Sequence, residues 1–167
     1  MTYKKKLWIN VVLLVAIVGI IFYSSSRNYS DQNIQPYLGL VNLSWLEDTF
    51  LSYVSFSYGN GMVGIEAQGV EGFIEFFVRK AAHFFSFMVI GVLGCNLLSI
   101  FLPLRRAASF TLSLVVFYAV IDEYRQSFMP DRTALVEDVV IDVVGGGVGV
   151  LIVAWCNKRY VVKSKGS

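Results

Sequence analysis

Residues Val139 to Cys156 read VVIDVVGGGVGVLIVAWC, a run in which Asp142 is the only charged side chain. As a helix this run rises about 27 Å, close to the hydrocarbon thickness of a bilayer, and it reads as a membrane span. Glu137 and Asp138 precede it and Lys158 and Arg159 follow it, so its two ends differ in charge. Within it, Gly145, Gly146, Gly147 and Gly149 give the small-x-x-x-small spacing that lets another helix approach closely.

Three further apolar stretches lie upstream, at Leu7–Tyr23, from about Phe84 to Leu104, and at Ala107–Ile121. With 56% hydrophobic and 16% charged residues the chain is too apolar for a soluble domain, and a soluble enzyme is excluded. Extended to crossing length, the spans are about 7–23, 81–104, 107–128 and 137–156, with residues 24–78 outside the membrane. The predicted fold class is an all-α integral membrane domain over residues 1–167, with four transmembrane helices and an extracytoplasmic segment containing a short amphipathic helix. Leu7–Tyr23 follows Lys4, Lys5 and Lys6 as a signal peptide would. A cut after Tyr23 or Ser26 has weak small-residue support, so an uncleaved first span is the reading.

Basic residues are retained on the cytoplasmic side of spans, whereas acidic ones matter little. Lys4–Lys6, Arg105, Arg106, Lys158, Arg159, Lys163 and Lys165, nine of the 14 basic residues, fall on one side of the four spans. Arg27, Arg79, Lys80, Arg125 and Arg132 fall on the other, with all 12 acidic residues. The expectation is a multi-pass protein of the cytoplasmic membrane with both termini in the cytoplasm. A net charge of +2 and the lack of a basic stripe with interleaved aromatics argue against nucleic acid. Cys95 and Cys156 make no Cys-x-x-Cys pattern, so neither a disulfide nor a thiolate zinc site is expected.

In the outer segment Ser44 and Glu47 have the spacing of a capping box. Leu46, Phe50 and Val54 recur at helical intervals until Gly59-Asn60-Gly61. The spacing predicts an amphipathic helix there, lying on lipid or over the mouth of the bundle.

The third apolar stretch is too short to cross alone, so its helix must continue through Asp122, Glu123 and Gln126 toward Pro130. The same count places Arg79, Lys80 and His83 at the outer end of the second span, and Asp138 and Asp142 at that of the fourth. Arg79 with His83, Asp122 with Gln126, and Asp138 with Asp142 each share an i, i+4 face. An intramembrane carboxylate is costly unless a partner inside the bundle satisfies it. Arg132, Arg79, Lys80 or protonated His83 are the available donors for Asp142. A polar cup facing outward is therefore expected, with Arg79, Lys80, His83, Asp122, Glu123, Gln126, Arg132, Asp138 and Asp142 as ligand-binding candidates.

These same residues carry a family resemblance. Arg79-Lys80-Ala81-Ala82-His83-Phe84, then Asp122-Glu123-x-x-Gln126 with Pro130 and Arg132, then Asp138 and its Gly-rich helix, resemble the VanZ-like membrane proteins. The chain departs from that pattern at Phe87, Asp131 and Asp142, where an aromatic hydroxyl, a glycine and an asparagine are more usual. The resemblance implies a bacterial cell-envelope protein whose namesake lowers susceptibility to teicoplanin, a lipid-tailed glycopeptide. It also implies amphiphiles of the outer leaflet as partners, a lipoglycopeptide or a peptidoglycan precursor among them, beside the surrounding membrane lipids.

Three functions compete. In the first, the cup binds an anionic or glycosylated amphiphile through Arg79, Lys80, Arg125 and Arg132, with the acids and Gln126 orienting them. In the second, the protein is an intramembrane hydrolase or transferase, with His83 as acid or base and Asp122 or Glu123 as its partner. No Ser or Cys motif accompanies His83, Ser86 being on another helix face. That reading would therefore require water on a hard cation such as magnesium, calcium or manganese. In the third, the cup is a polar network that fixes helix register in a partner-binding scaffold. No cofactor and no metal site are assigned, transport has little support, and a homo-oligomer is compatible with the sequence.

Overall fold

The computed structural model describes residues 3–28, 30–129 and 134–165, with backbone only at residue 3 and at 158–165. Helix α1 (Tyr3–Ser25) leads into an outer segment holding a one-turn helix α2 (Gln35–Leu38), 3-10 turns and a hairpin of β1 (Ser55–Tyr58) and β2 (Gly61–Gly64). Helices α3 (Ile65–Leu98), α4 (Leu104–Gln126) and α5 (Val136–Lys165) follow. Four of these helices, α1, α3, α4 and α5, are long and apolar enough to cross a bilayer. Because α3 runs opposite to α1, and α5 opposite to α4, the ends gather by charge. Lys4–Lys6, Arg105 and Arg106 lie toward one end of the bundle, and the acidic termini of α3, α4 and α5 gather at the other. The first is the basic end and the second the polar end.

Helix α3 touches α1, α4 and α5, and its contact with α5 is the largest in the bundle. The reason is glycine. A Cβ on Gly145 would overlap the carbonyl of Phe84, and one on Gly149 that of Met88, so the two backbones meet where side chains would hold them apart. Phe87, Ile90, Val115 and Ala119 fill the middle of the bundle with Ile21 of α1, and Cys95, Val150 and Val153 pack nearer the basic end. On α4 the inward stripe Ala107, Thr111, Val115, Ala119 and Asp122 keeps helical spacing. Phe110, Leu114 and Phe117 face outward, as lipid-exposed residues do.

The break between α3 and α4 falls at residues 99–103, and Pro103 stands at the N-cap of α4. Arg105 and Arg106, expected in the link, belong to the first turn of α4. A proline suits a helix start because its missing N–H would have no helical partner there.

The outer segment differs from expectation. The amphipathic helix predicted from Ser44 onward does not form. Only 3-10 turns occur there, at Ser44–Leu46 and Phe50–Tyr53, and the Ser44 hydroxyl donates to Asn42 Oδ1 (2.7 Å) instead of capping a helix. The short α-helical turn of the segment is α2, earlier in the chain. Residues 55–64 instead form the antiparallel hairpin, with Ser55 opposite Gly64 and Tyr58 opposite Gly61. Gly59 turns it with φ 55°, the left-handed conformation a two-residue hairpin loop requires. Phe56 and Tyr58 pack edge-on against Phe76 of α3, while Leu46, Val63, Ile65, Val70 and Phe73 form a separate apolar cluster beneath the segment.

Helix α3 is also longer than its span. Gly69, with φ 72°, kinks its first turn, and the helix then runs from Val70 to Leu98. That run is about 43 Å, against about 30 Å of hydrocarbon. The excess lies at the polar end and gives the hairpin a surface to rest on.

Candidate functional site

Two rungs of polar contact join α3 to α5 above the glycine contacts. In the outer rung Lys80 Nζ and the Tyr58 hydroxyl both donate to Asp138 Oδ1. The Lys80 ammonium also lies 4.7 Å from the centre of the Tyr58 ring and 5.4 Å from that of Phe76, so a carboxylate and two aromatic faces enclose it. Burial and the neighbouring Asp138 push the Tyr58 phenol well above the usual tyrosine range, so it remains a donor.

In the inner rung His83 Nδ1 stands 3.4 Å from Asp142 Oδ1. The distance gives ionic attraction when the imidazole is protonated, but the contact is not a hydrogen bond, and among the described residues none donates a hydrogen bond to the buried Oδ1. Asp142 is 1% exposed, while the His83 side chain keeps 31% of its surface, so the imidazole covers the carboxylate from the mouth.

Asp122 forms a different cluster, between α4 and α1. Ser25 Oγ and Gln126 Nε2 donate to its Oδ2 at 2.9 and 3.0 Å, and Arg125 Nη2 to Oδ1 at 2.8 Å. Arg125 Nη1 also donates to the carbonyl of Phe22 and to Ser26 Oγ, both at 2.9 Å, and so ties the ends of the two helices together. Glu123, on the next face, accepts the backbone N–H of Leu135 at 2.7 Å, a carboxylate at the N-terminus of α5 where the helix dipole favours it.

Arg79 turns away from His83. Its Nε donates to Glu75 Oε1 at 2.9 Å, and Gln35 of α2 donates to Glu75 Oε2 at 2.8 Å. Beside this chain a cleft of about 370 Å³ is lined by Gln35, Gln68, Gly72, Phe76, Arg79 and Lys80.

The structure therefore gathers Arg79, Lys80, His83, Asp122, Glu123, Gln126, Asp138 and Asp142 at one end of the bundle, in separate contacts. Arg132 and Pro130 lie outside the described residues. Of the donors expected for Asp142, His83 is the one that faces it, while Asp122 and Glu123, its acid partners in the hydrolase reading, are engaged elsewhere. Tyr58, Glu75, Gln35 and Ser25 were not anticipated. Glu75 had a local signal, lying one turn before Arg79, whereas Ser25 and Tyr58 reach their partners only through the fold. Among the described residues no three His, Cys, Asp or Glu side chains are arranged to hold a metal ion.

No curated protein and no solved structure matches the chain. The VanZ/LLP1 family does, over residues 10–157, a range that takes in the α3–α5 rungs, the α1–α4 clamp and the hairpin. The chain is thus a multi-pass membrane protein that belongs to the VanZ/LLP1 family.

Proposed function

We propose that the polar end binds and handles an amphiphile of the outer leaflet of a bacterial envelope, and that both termini lie in the cytoplasm. The carrying observation is the cleft at the outer end of α3. Gln35, Gln68, Gly72, Phe76, Arg79 and Lys80 line it, so it offers both polar and apolar surface at the polar end of α3. Its volume lies near the lower bound for ligand sites and suits a headgroup or sugar-sized fragment, leaving the tail among the exposed apolar faces of the bundle. A lipid-tailed glycopeptide such as teicoplanin and a lipid-linked peptidoglycan precursor both have this two-part character. Family membership favours the first and, with it, lowered teicoplanin susceptibility.

The hydrolase reading has less support. No hydroxyl or thiol is hydrogen-bonded to His83 among the described residues, so no side-chain nucleophile accompanies it. The direct test is equilibrium binding of teicoplanin and of undecaprenyl phosphate to the protein in nanodiscs, compared with Gly72→Leu. A Cβ at Gly72 already meets Gln68 Cβ at 3.0 Å and lies 3.7 Å from Gln35 Nε2, so a leucine there fills the cleft. The expected result is binding of at least one ligand by the wild type and a loss of about tenfold in the variant, roughly 1.4 kcal/mol. Absence of binding to both, or equal binding by Gly72→Leu, would sink the proposal.

A further inference from the structure

Among the described residues the polar end carries four basic side chains and eleven acidic ones, a net charge of −7, and the basic end carries no acid. Pairing sharpens this imbalance. Each of the four described basic side chains at the polar end already meets a carboxylate of its own chain: Arg27 with Asp31, Arg79 with Glu75, Lys80 with Asp138 and Arg125 with Asp122. At any of these four, an incoming phosphate or carboxylate would have to displace an acid, and would do so in a field of its own sign. A cation meets the opposite situation.

The two α3–α5 rungs show how a cation is held here. In the outer rung the chain's own ammonium, Lys80 Nζ, sits on Asp138 between the rings of Tyr58 and Phe76. The inner rung repeats the carboxylate one turn deeper but offers an imidazole in place of the ammonium, and Asp142 Oδ1, buried, accepts no hydrogen bond from the described residues. A buried acceptor without a donor is costly, and an ammonium N–H on that oxygen removes the cost with a charge-assisted bond. His83 is its half-exposed neighbour, and an ammonium entering from the mouth requires that side chain to rotate.

We propose that the amphiphile bound at the polar end carries an ammonium group, and that Asp142 is its acceptor beneath His83. This rests on the amphiphile-binding reading above and names the chemistry of its headgroup. An amine-bearing amphiphile is favoured over a polyprenyl phosphate.

The test uses the full chain in phosphatidylcholine nanodiscs at neutral pH, with three probes of one chain length: dodecylamine, dodecyl phosphate and dodecyl maltoside. Binding is corrected for partition into protein-free discs. The expected ranking places dodecylamine at least about tenfold tighter than dodecyl phosphate. Asp142→Asn should lower dodecylamine affinity about tenfold and leave dodecyl maltoside unchanged, and Glu47→Gln, exposed at the end of the Ser44–Leu46 turn, should change neither. Tighter binding of the phosphate by the wild type overturns the inference while the amphiphile reading stands, as does an ammonium preference that survives Asp142→Asn. If no probe binds, both fall. The wild-type ranking decides the matter alone should Asp142→Asn fail to assemble.

Discussion

His83 on α3 and Asp142 on α5 face each other across 3.4 Å, with the carboxylate buried and the imidazole half-exposed. The pair lies directly above the glycine contacts, so its charge balance bears on both the stability of the bundle and the chemistry of its mouth. His83→Phe removes the imidazole whose protonated form attracts the buried carboxylate, and should destabilise the protein by about 1–3 kcal/mol. The double variant His83→Phe/Asp142→Leu, which removes both polar groups, should recover most of that loss. Reversible unfolding in mixed micelles measures the cycle; additive losses would mean that the two side chains do not interact.

The close approach of α3 and α5 predicts a sharp contrast among glycines. Gly149→Ala puts a methyl group into the carbonyl of Met88, and the helices must separate, at a cost of about 1–3 kcal/mol or more. Gly19→Ala on α1, where a Cβ meets nothing within 4 Å, should be neutral or slightly stabilising. Melting temperatures of the two variants in one detergent are the comparison, and similar values would contradict the packing described.

The Asp122 clamp predicts a graded series. Ser25→Ala removes one donor and should cost about 1 kcal/mol. Asp122→Ala strips Arg125 and Gln126 of a shared buried acceptor and should cost about 3–5 kcal/mol. Reversal of that order would show that α1 is not held through Asp122.

Cys156 lies exposed toward the basic end, and Cys95 is buried. With the termini in the cytoplasm, a membrane-impermeant maleimide should label Cys156 only after cells are permeabilised, and should label an introduced Ser44→Cys in intact cells. Labelling of Cys156 in intact cells would invert the orientation.

The four spans and the gathering of acids at one end were legible because length, apolarity and charge are properties of the chain itself. The outer segment was harder. Leu46, Phe50 and Val54 have helical spacing, but Phe56 and Tyr58 alternate with Ser55 and Ser57 immediately before Gly59-Asn60, the pattern of a strand entering a tight turn. As hairpin chemistry, Gly59-Asn60-Gly61 marks the turn between two strands and not the stop of a helix. The partner of each polar residue was legible only in part. Asp122 and Gln126 share a helix face and do meet, since an i, i+4 relation brings them together without help from the fold. Arg79 and His83 share that relation too, yet Arg79 turns to Glu75 and His83 to Asp142. Glu75 was hidden because α3 extends beyond the apolar stretch that marked its span, and although His83 is among the donors open to Asp142, its selection depends on a helix crossing that no local spacing encodes.

The most direct test of the polar end as a functional site is growth of a susceptible bacterium in teicoplanin while it expresses wild type, Gly72→Leu or Glu123→Gln, with membrane levels matched by immunoblot. Protection by the wild type, and its loss in both variants at equal abundance, is the result predicted. Equal protection by all three would mean that the polar end serves only to hold the helices in register, and no protection by the wild type would remove teicoplanin from the account.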